Sequence, residues 1–226
     1  MATRDQSQSA EWYMVRSRRI TGSTCGKILK QKELTPALLQ RILYPKAFTN
    51  LPPAVKWGID HEPHANRAYL QFAKKHGKHG LTTKKCGFIV HPTMGFLGAS
   101  PDARVSDPHC ELTEGIAEFK CPYSKREVSL VEASSDSNFY CHYKDGSFCL
   151  KDTHEYYHQV QLQLYVGMDL YHWCDFCVFT LKGIEVQRIW LDTSWCNTYI
   201  PELESYFDAY MLPEILQPSC KPSHIL

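Results

Sequence analysis

No apolar run in this chain approaches the roughly 20 residues that a membrane-spanning helix requires, so no membrane role is expected of it. The polar opening stretch, Met1 to Ser9, lacks the apolar core of a signal peptide, and an intracellular protein is expected. Nuclear, cytoplasmic and viral residence are not separable from these residues. Internal repeats and long low-complexity linkers are missing too, so residues 1–226 are read as a single domain, with residues after 212 as a tail. Net charge is almost absent: 25 Lys and Arg stand against 24 Asp and Glu. A second C-x-x-C, or a Cys/His pair at zinc spacing, is also missing.

What is present begins with ten cysteines: Cys25, Cys86, Cys110, Cys121, Cys141, Cys149, Cys174, Cys177, Cys196 and Cys220. Scattered through a chain long enough to bury a core, they read as reduced thiols rather than a disulfide framework. The one C-x-x-C, Cys174 and Cys177, lies in an apolar stretch that reads as a buried strand, so core thiols are expected there. Charge is segregated although nearly balanced. Trp12 to Lys32 holds six basic residues and no acid (Arg16, Arg18, Arg19, Lys27, Lys30, Lys32), and Pro63 to Pro101 again holds six and none. Glu202, Glu204, Asp208 and Glu214 make the last third acidic. Such a chain can turn one basic face to a polyanion.

Helices are expected over about Ser9–Arg18, from a Thr21-Gly22-Ser23-Thr24 cap to about Gln31, and from Thr35-Pro36 onward. Leu51-Pro-Pro53 is a break before a long helix, Ala54 to His76, ended by Gly77 and Gly80. The period then changes to strands at Leu81–Val90, Phe96–Ala99, Ala103–Ser106 and Gly115–Phe119. Glu132–Gly146 reads as a loop and His154–Met168 as a helix. Tyr171–Leu181 and Ile184–Leu191 read as a hairpin about Lys182-Gly183. Trp195, Tyr199, Leu203, Phe207 and Tyr210 recur at near-helical spacing and mark a closing helix whose aromatic stripe packs the core. The fold class is α/β (α+β): a mainly antiparallel-to-mixed central sheet, helices on both sides, helices at the start and a helix at the end.

The chemistry sits on Gly115–Pro122. In a strand, Glu118 and Lys120 share a face and Phe119 points away. If the strand after Ser100-Pro101-Asp102 lies alongside, Asp102 and Glu118 supply two carboxylates and Phe119 a carbonyl, a sufficient protein share for Mg²⁺. Lys120 would then orient or deprotonate a water, a set of parts suited to phosphodiester hydrolysis. Glu62 on the long helix can serve a second metal or its water shell, whereas Asp60 turns to another side. Tyr156, Gln159 and Gln163 share a helix face that can reach the lysine, water or phosphate; His158 is read as packing or surface.

Five segments in order carry a resemblance: Trp12 with Arg16 and Ile20-Thr21-Gly22-Ser23; Trp57-Gly-x-x-x-Glu62; Ser100-Pro101-Asp102; Glu118-Phe119-Lys120-Cys121-Pro122; and Tyr156-x-x-Gln159-Val-Gln161. Together, over residues 12–166, they resemble the lambda-exonuclease / YqaJ viral recombinase family of PD-(D/E)XK nucleases. The resemblance implies a restriction-endonuclease-like core with Mg²⁺, replaceable by Mn²⁺, at Asp102, Glu118 and the Phe119 carbonyl. It implies a second ion near Glu62, Lys120 at the nucleophilic water, Gln159 beside it and Tyr156 in support. Arg16 and Ser23, with Ser100, are implied to hold a DNA 5′-phosphate. The implied activity is 5′→3′ exonuclease action on double-stranded DNA ends in recombination or repair, with a single-strand annealing protein as partner and a homotrimer as assembly. Gly22 replaces the usual alanine, and Ala103 stands where glycine is frequent. An endonuclease or single-strand nuclease of the same superfamily, a non-catalytic DNA-binding module and a zinc-holding Cys/His domain are the alternatives.

Overall fold

The computed structural model describes residues 3, 4, 6, 10–31, 35–45 and 50–219; the readings placed on Ser9, Lys32 and Cys220 lie outside them. The first third is helical: α1 (Ala10–Arg16), a two-residue strand β1 (Ile20–Thr21), α2 (Gly22–Lys30), α3 (Pro36–Leu43) and α4 (Pro53–Lys75). Local chemistry sets their starts. The Thr21 N–H donates to Thr24 Oγ1 at 2.9 Å ahead of α2, and the Thr35 hydroxyl accepts from Leu38 N with Pro36 at the first helical position of α3. Pro52-Pro53 opens α4, and Gly77, at φ 79°, supplies the left-handed residue that ends it.

The strands follow as β2 (Thr82–Lys85), β3 (Ile89–Val90), β4 (Leu97–Ala99), β5 (Ala103–Ser106) and β6 (Glu114–Lys120). After them come α5 (Leu130–Ser134), β7 (Cys141–Lys144), β8 (Ser147–Leu150), α6 (Glu155–Val166), β9 (Trp173–Thr180), β10 (Gly183–Trp190), α7 (Thr193–Tyr206) and α8 (Leu212–Leu216). A five-stranded sheet runs β10-β9-β6-β5-β2; β6 and β9 are parallel and its other pairs antiparallel. A small sheet, β1-β4-β3, sits beside it, and β7 and β8 form a separate hairpin.

Alternation along β6 places the helices. Ile116 packs in a cluster with Val160 and Leu164 of α6, whereas Ala117 and Phe119 pack with Ala65, Tyr69 and Ala73 of α4. The two helices therefore cover opposite faces of the sheet. The same alternation separates the two cysteines of the C-x-x-C: Cys174 lies in the α6-side cluster and Cys177 in the α4-side one.

Four expectations change. The single strand over Leu81–Val90 divides, because the β2–β5 ladder ends at Lys85↔Ala103, where β5 begins; the chain beyond joins β4 instead. The loop over Glu132–Gly146 contains α5 and half a hairpin. Asp145 and Gly146, at φ 51° and 77°, make the tight turn, and Cys141, Phe148 and Leu150 are buried behind it. The aromatic stripe fails at its end: a π-helical turn, Phe207–Met211, advances the register so that Met211 is buried and Tyr210 is 44% exposed. Beyond it, where a tail was expected, α8 carries the buried Glu214.

Candidate active site

The β5–β6 register decides the centre of the site. Ala103 pairs with Ala117 in antiparallel sense, which brings Asp102, one residue before β5, opposite Glu118. Asp102 Oδ2 accepts from the Phe119 N–H at 2.7 Å, tying the turn to the strand. Glu118 points to the α6 face with Lys120, whose ammonium donates to Glu118 Oε1 at 2.7 Å and to Gln159 Oε1 at 3.1 Å. From α6, Gln159 Nε2 donates to Glu118 Oε1 at 2.6 Å and Gln163 Nε2 to Glu118 Oε2 at 2.8 Å. Both carboxylate oxygens are thus fixed, and Glu118 is only 4% exposed. Tyr156 contributes its ring face, 4.1 Å below the Lys120 ammonium.

These groups open into a cavity of about 450 Å³ lined by Gly58, Ile59 and Glu62 of α4, by Asp102, and by Glu118 to Cys121. Asp60, as expected, turns away and pairs with Lys56 at 2.5 Å on the exposed side of α4. Burial raises the Asp102 carboxyl well above its ordinary value, and the negative charges of Glu118 and Glu62 raise it further, against Lys120 and the Phe119 N–H. Glu62 is raised by burial and by Glu118, against Lys85 and Lys120. Burial works against the Lys120 ammonium, but Glu118, Tyr156 and Asp102 more than compensate and hold it protonated. A site that strains to keep its carboxylates charged favours an added cation. Among the described residues no three His, Cys, Asp or Glu side chains form a ready cage. Mg²⁺ asks for less, one or two carboxylates with retained waters, so Asp102, Glu118 and the Phe119 carbonyl fit it, with Glu62 on the same cavity wall.

A second cavity, of about 390 Å³, shares Asp102, Glu118, Lys120 and Tyr156 with the first and adds Trp12, Arg16, Ser23, Lys27, Ser100 and Gln159. Arg16 Nη2 donates to Ser23 Oγ at 3.0 Å, and the guanidinium lies 4.1 Å from the centre of the Trp12 ring. Trp12 Nε1 donates to Ser100 Oγ at 2.9 Å. Burial lowers Arg16 to about 10, with Tyr13 opposing, which leaves it cationic at neutral pH. Every site residue read from the sequence therefore lies on one or both of two joined cavities. His158 is a packing residue, its Nδ1 accepting from Trp195 Nε1 at 2.9 Å.

The sequence reading named Gln163 only as a face-mate of Gln159 and missed Tyr140, which lines the first cavity from the segment taken for a loop. It also missed a buried network on the other face of the sheet, where Asp175 and Asp107 meet Arg188, Lys78 and Tyr69. Asp175 was visible as an acid within a strand that otherwise reads as buried, and a buried acid needs a partner.

A model of the YqaJ-like viral recombinase domain matches residues 11–169, which include all of these site residues. No curated protein sequence matches the chain. Among solved structures, the alkaline exonuclease LHK-Exo from Laribacter hongkongensis superposes with a TM-score of 0.64 at 23% identity, over 92% of this chain and 95% of that one. A phage-related exonuclease from Haemophilus somnus 129PT superposes at 0.56 with 17% identity, over 89% and 96%. The shutoff and exonuclease protein of Kaposi's sarcoma-associated herpesvirus superposes at 0.56 with 13% identity, over 94% and 72%. At these identities the likeness is one of fold, a mixed α/β architecture on a restriction-endonuclease-like core.

Proposed function

Because this chain belongs to the YqaJ-like viral recombinase family, we propose that it is a Mg²⁺-dependent deoxyribonuclease that degrades duplex DNA ends in the 5′→3′ direction during recombination or repair. The observation that carries the reading is the joining of the two cavities at Asp102, Glu118 and Lys120. The three structural neighbours described above are each named as an exonuclease, which agrees with it.

Asp102, Glu118 and the Phe119 carbonyl are the proposed holders of one ion and Glu62 of a second, with Mn²⁺ as the expected substitute. When bound, such ions supply Lewis acidity and offset charge on the phosphoryl oxygens. The chain's own groups do the positioning. Lys120, kept as an ammonium by Glu118, holds a water by hydrogen bonding rather than by taking its proton. Gln159 fixes Lys120 and Glu118 together, and Gln163 clamps the second Glu118 oxygen. Arg16, Ser23 and Ser100 present a guanidinium and two hydroxyls on the adjoining wall, a suitable seat for a terminal phosphate. A seat for a chain end one cavity away from the carboxylates turns hydrolysis of any phosphodiester into removal of a 5′ nucleotide.

The test is digestion of end-labelled linear duplexes, with and without a 5′ phosphate, in Mg²⁺. Wild type is expected to prefer phosphorylated ends, Arg16→Ala to lose that preference, and Lys120→Ala to lose hydrolysis. Cleavage of circular DNA as fast as linear DNA would replace the exonuclease reading with an endonuclease.

A further inference from the structure

Outside both cavities lies an aromatic strip with no part in the hydrolysis just described. On α4 the Trp57 ring stacks on His61, centroids 3.4 Å apart and planes 20° from parallel, and His61 leads on to His64 at 5.4 Å. From the turn after β6, the Tyr123 ring meets Trp57 at 6.1 Å. The Arg126 guanidinium lies 4.5 Å from the centre of the Tyr123 ring and 5.9 Å from that of Trp57, and donates to the Tyr123 carbonyl at 2.8 Å. Core packing does not account for the strip: neither ring belongs to an apolar cluster of the interior, and Tyr123 is 39% exposed.

Its place is set by the site. Gly58 and Glu62 line the first cavity, and Trp57 and His61 occupy the neighbouring helical positions; Pro122 and Ser124 line it, and Tyr123 stands between them. The strip is thus the rim of the cavity that lacks Arg16 and Ser23. Flat rings beside an Arg that is held over them suit a nucleobase with its phosphate, because every base offers a π-face and the guanidinium, paired through Nε with the exposed Glu127 at 3.3 Å, can turn Nη2 to the backbone. With a 5′ phosphate seated at Arg16 and the cut made beside Glu118, the continuation of the same strand arrives at this rim.

We infer that Trp57, Tyr123 and Arg126 form a stacking platform for the first nucleotides downstream of the cut, unpaired where the duplex end opens so that its 5′ strand can enter the site, an inference that rests on the nuclease reading above. The platform binds single-stranded DNA without regard to base sequence, and its contribution falls on binding rather than on the chemical step.

Fluorescence anisotropy with a labelled single-stranded oligothymidylate, in EDTA to prevent hydrolysis, tests it on the full chain. Trp57→Ala is expected to raise Kd about tenfold and Tyr123→Ala about fivefold, in line with the loss of one stacked base. Trp57→Phe keeps a ring and is expected to stay within about twofold of wild type. Unchanged Kd in both alanine variants would overturn the platform. So would Trp57→Phe weakening binding as much as Trp57→Ala while melting like wild type, because a retained ring in an intact fold would then not sustain binding, as stacking requires. Hydrolysis of end-labelled duplex by wild type reads the nuclease proposal separately. No hydrolysis with ring-dependent binding defeats that proposal alone, and hydrolysis with ring-independent binding defeats the platform alone.

Discussion

Two buried clusters of charge occupy opposite faces of one sheet, and their accounts differ. On the α4 face, Arg188 grips Asp175 with two prongs at 2.8 Å and reaches Asp107 at 2.9 Å. Lys78 also reaches Asp107 at 2.9 Å, and the Tyr69 hydroxyl donates to Asp175 at 2.5 Å. The guanidinium is closed from above by Trp173, 3.5 Å from its ring centre. Two acids meet two bases. On the α6 face Asp102 and Glu118 share Lys120, and Glu62 adds a third acid from α4 on the wall of the same cavity, where Lys85 and Lys120 both act on it. The consequence appears in the acids themselves. Burial works to raise Asp107, but hydrogen bonds from Lys78, the His109 N–H and Arg188 bring it below its ordinary value, whereas Asp102 is driven up. Similar residues are a structural tie where they are closed in and their charge balances, and favour an added cation where they line a cavity and it does not.

The largest way to break this contrast is Asp102→Asn. Asparagine can still accept from the Phe119 N–H, so the fold is kept and Tm is expected to rise in metal-free buffer, while hydrolysis of linear duplex falls about 10³-fold. A variant that lost both activity and stability would make Asp102 a structural acid like Asp107. Next is Arg188→Met, which leaves Asp175 and Asp107 buried with one base fewer. Urea unfolding should show a loss of about 3–5 kcal/mol, while the folded enzyme's turnover stays within a fewfold of wild type.

The two faces also respond to pH with opposite sign. Between the unfolded carboxyl value, about 4, and its raised folded value, Asp102 binds its proton more tightly in the folded chain, so its contribution to stability is lost as pH rises through that window. Asp107 contributes fully above its unfolded value and loses that contribution as pH falls through its lowered folded value. Melting in EDTA from pH 4 to pH 8 should therefore show a decline that Asp102→Asn flattens and that Mg²⁺ at pH 8 reverses. An equal Mg²⁺ response in wild type and Asp102→Asn would remove Asp102 from the ion site. The smallest effect is expected at Gly22, where an added Cβ would stand 3.2 Å from Gln163 Cγ and 3.3 Å from Gln159 Cγ. Gly22→Ala should cost about 1 kcal/mol and reduce turnover severalfold by moving the two glutamines that clamp Glu118; a steady-state assay beside a melt checks both.

Much of the helical third was legible because its signals are local: Thr21 and Thr35 cap, Pro36 and Pro52-Pro53 punctuate, and Gly77 stops α4. Local signals also misled where composition outweighed them. The Ser/Asp/Asn-rich segment before Gly146 reads as a loop, although Asp145-Gly146 between Tyr143 and Phe148 is a hairpin signature. The π-helical turn at Phe207–Met211 leaves no mark in the 3.6-residue spacing that precedes it, so Tyr210 was expected inside.

The residues themselves determined which groups could react and that Glu118 and Lys120 face the same way, because a strand's period of two is fixed by backbone geometry. Capping and breaking residues likewise determined most helix starts. Only the tertiary structure decided that Asp102 stands opposite Glu118, that Gln159 and Gln163 seize the two oxygens of one carboxylate, and that Asp107 and Asp175 share Arg188. Those choices follow from strand register and from the crossing of α6 over β6, which are set by burying both faces of the sheet at once rather than by any short stretch of chain.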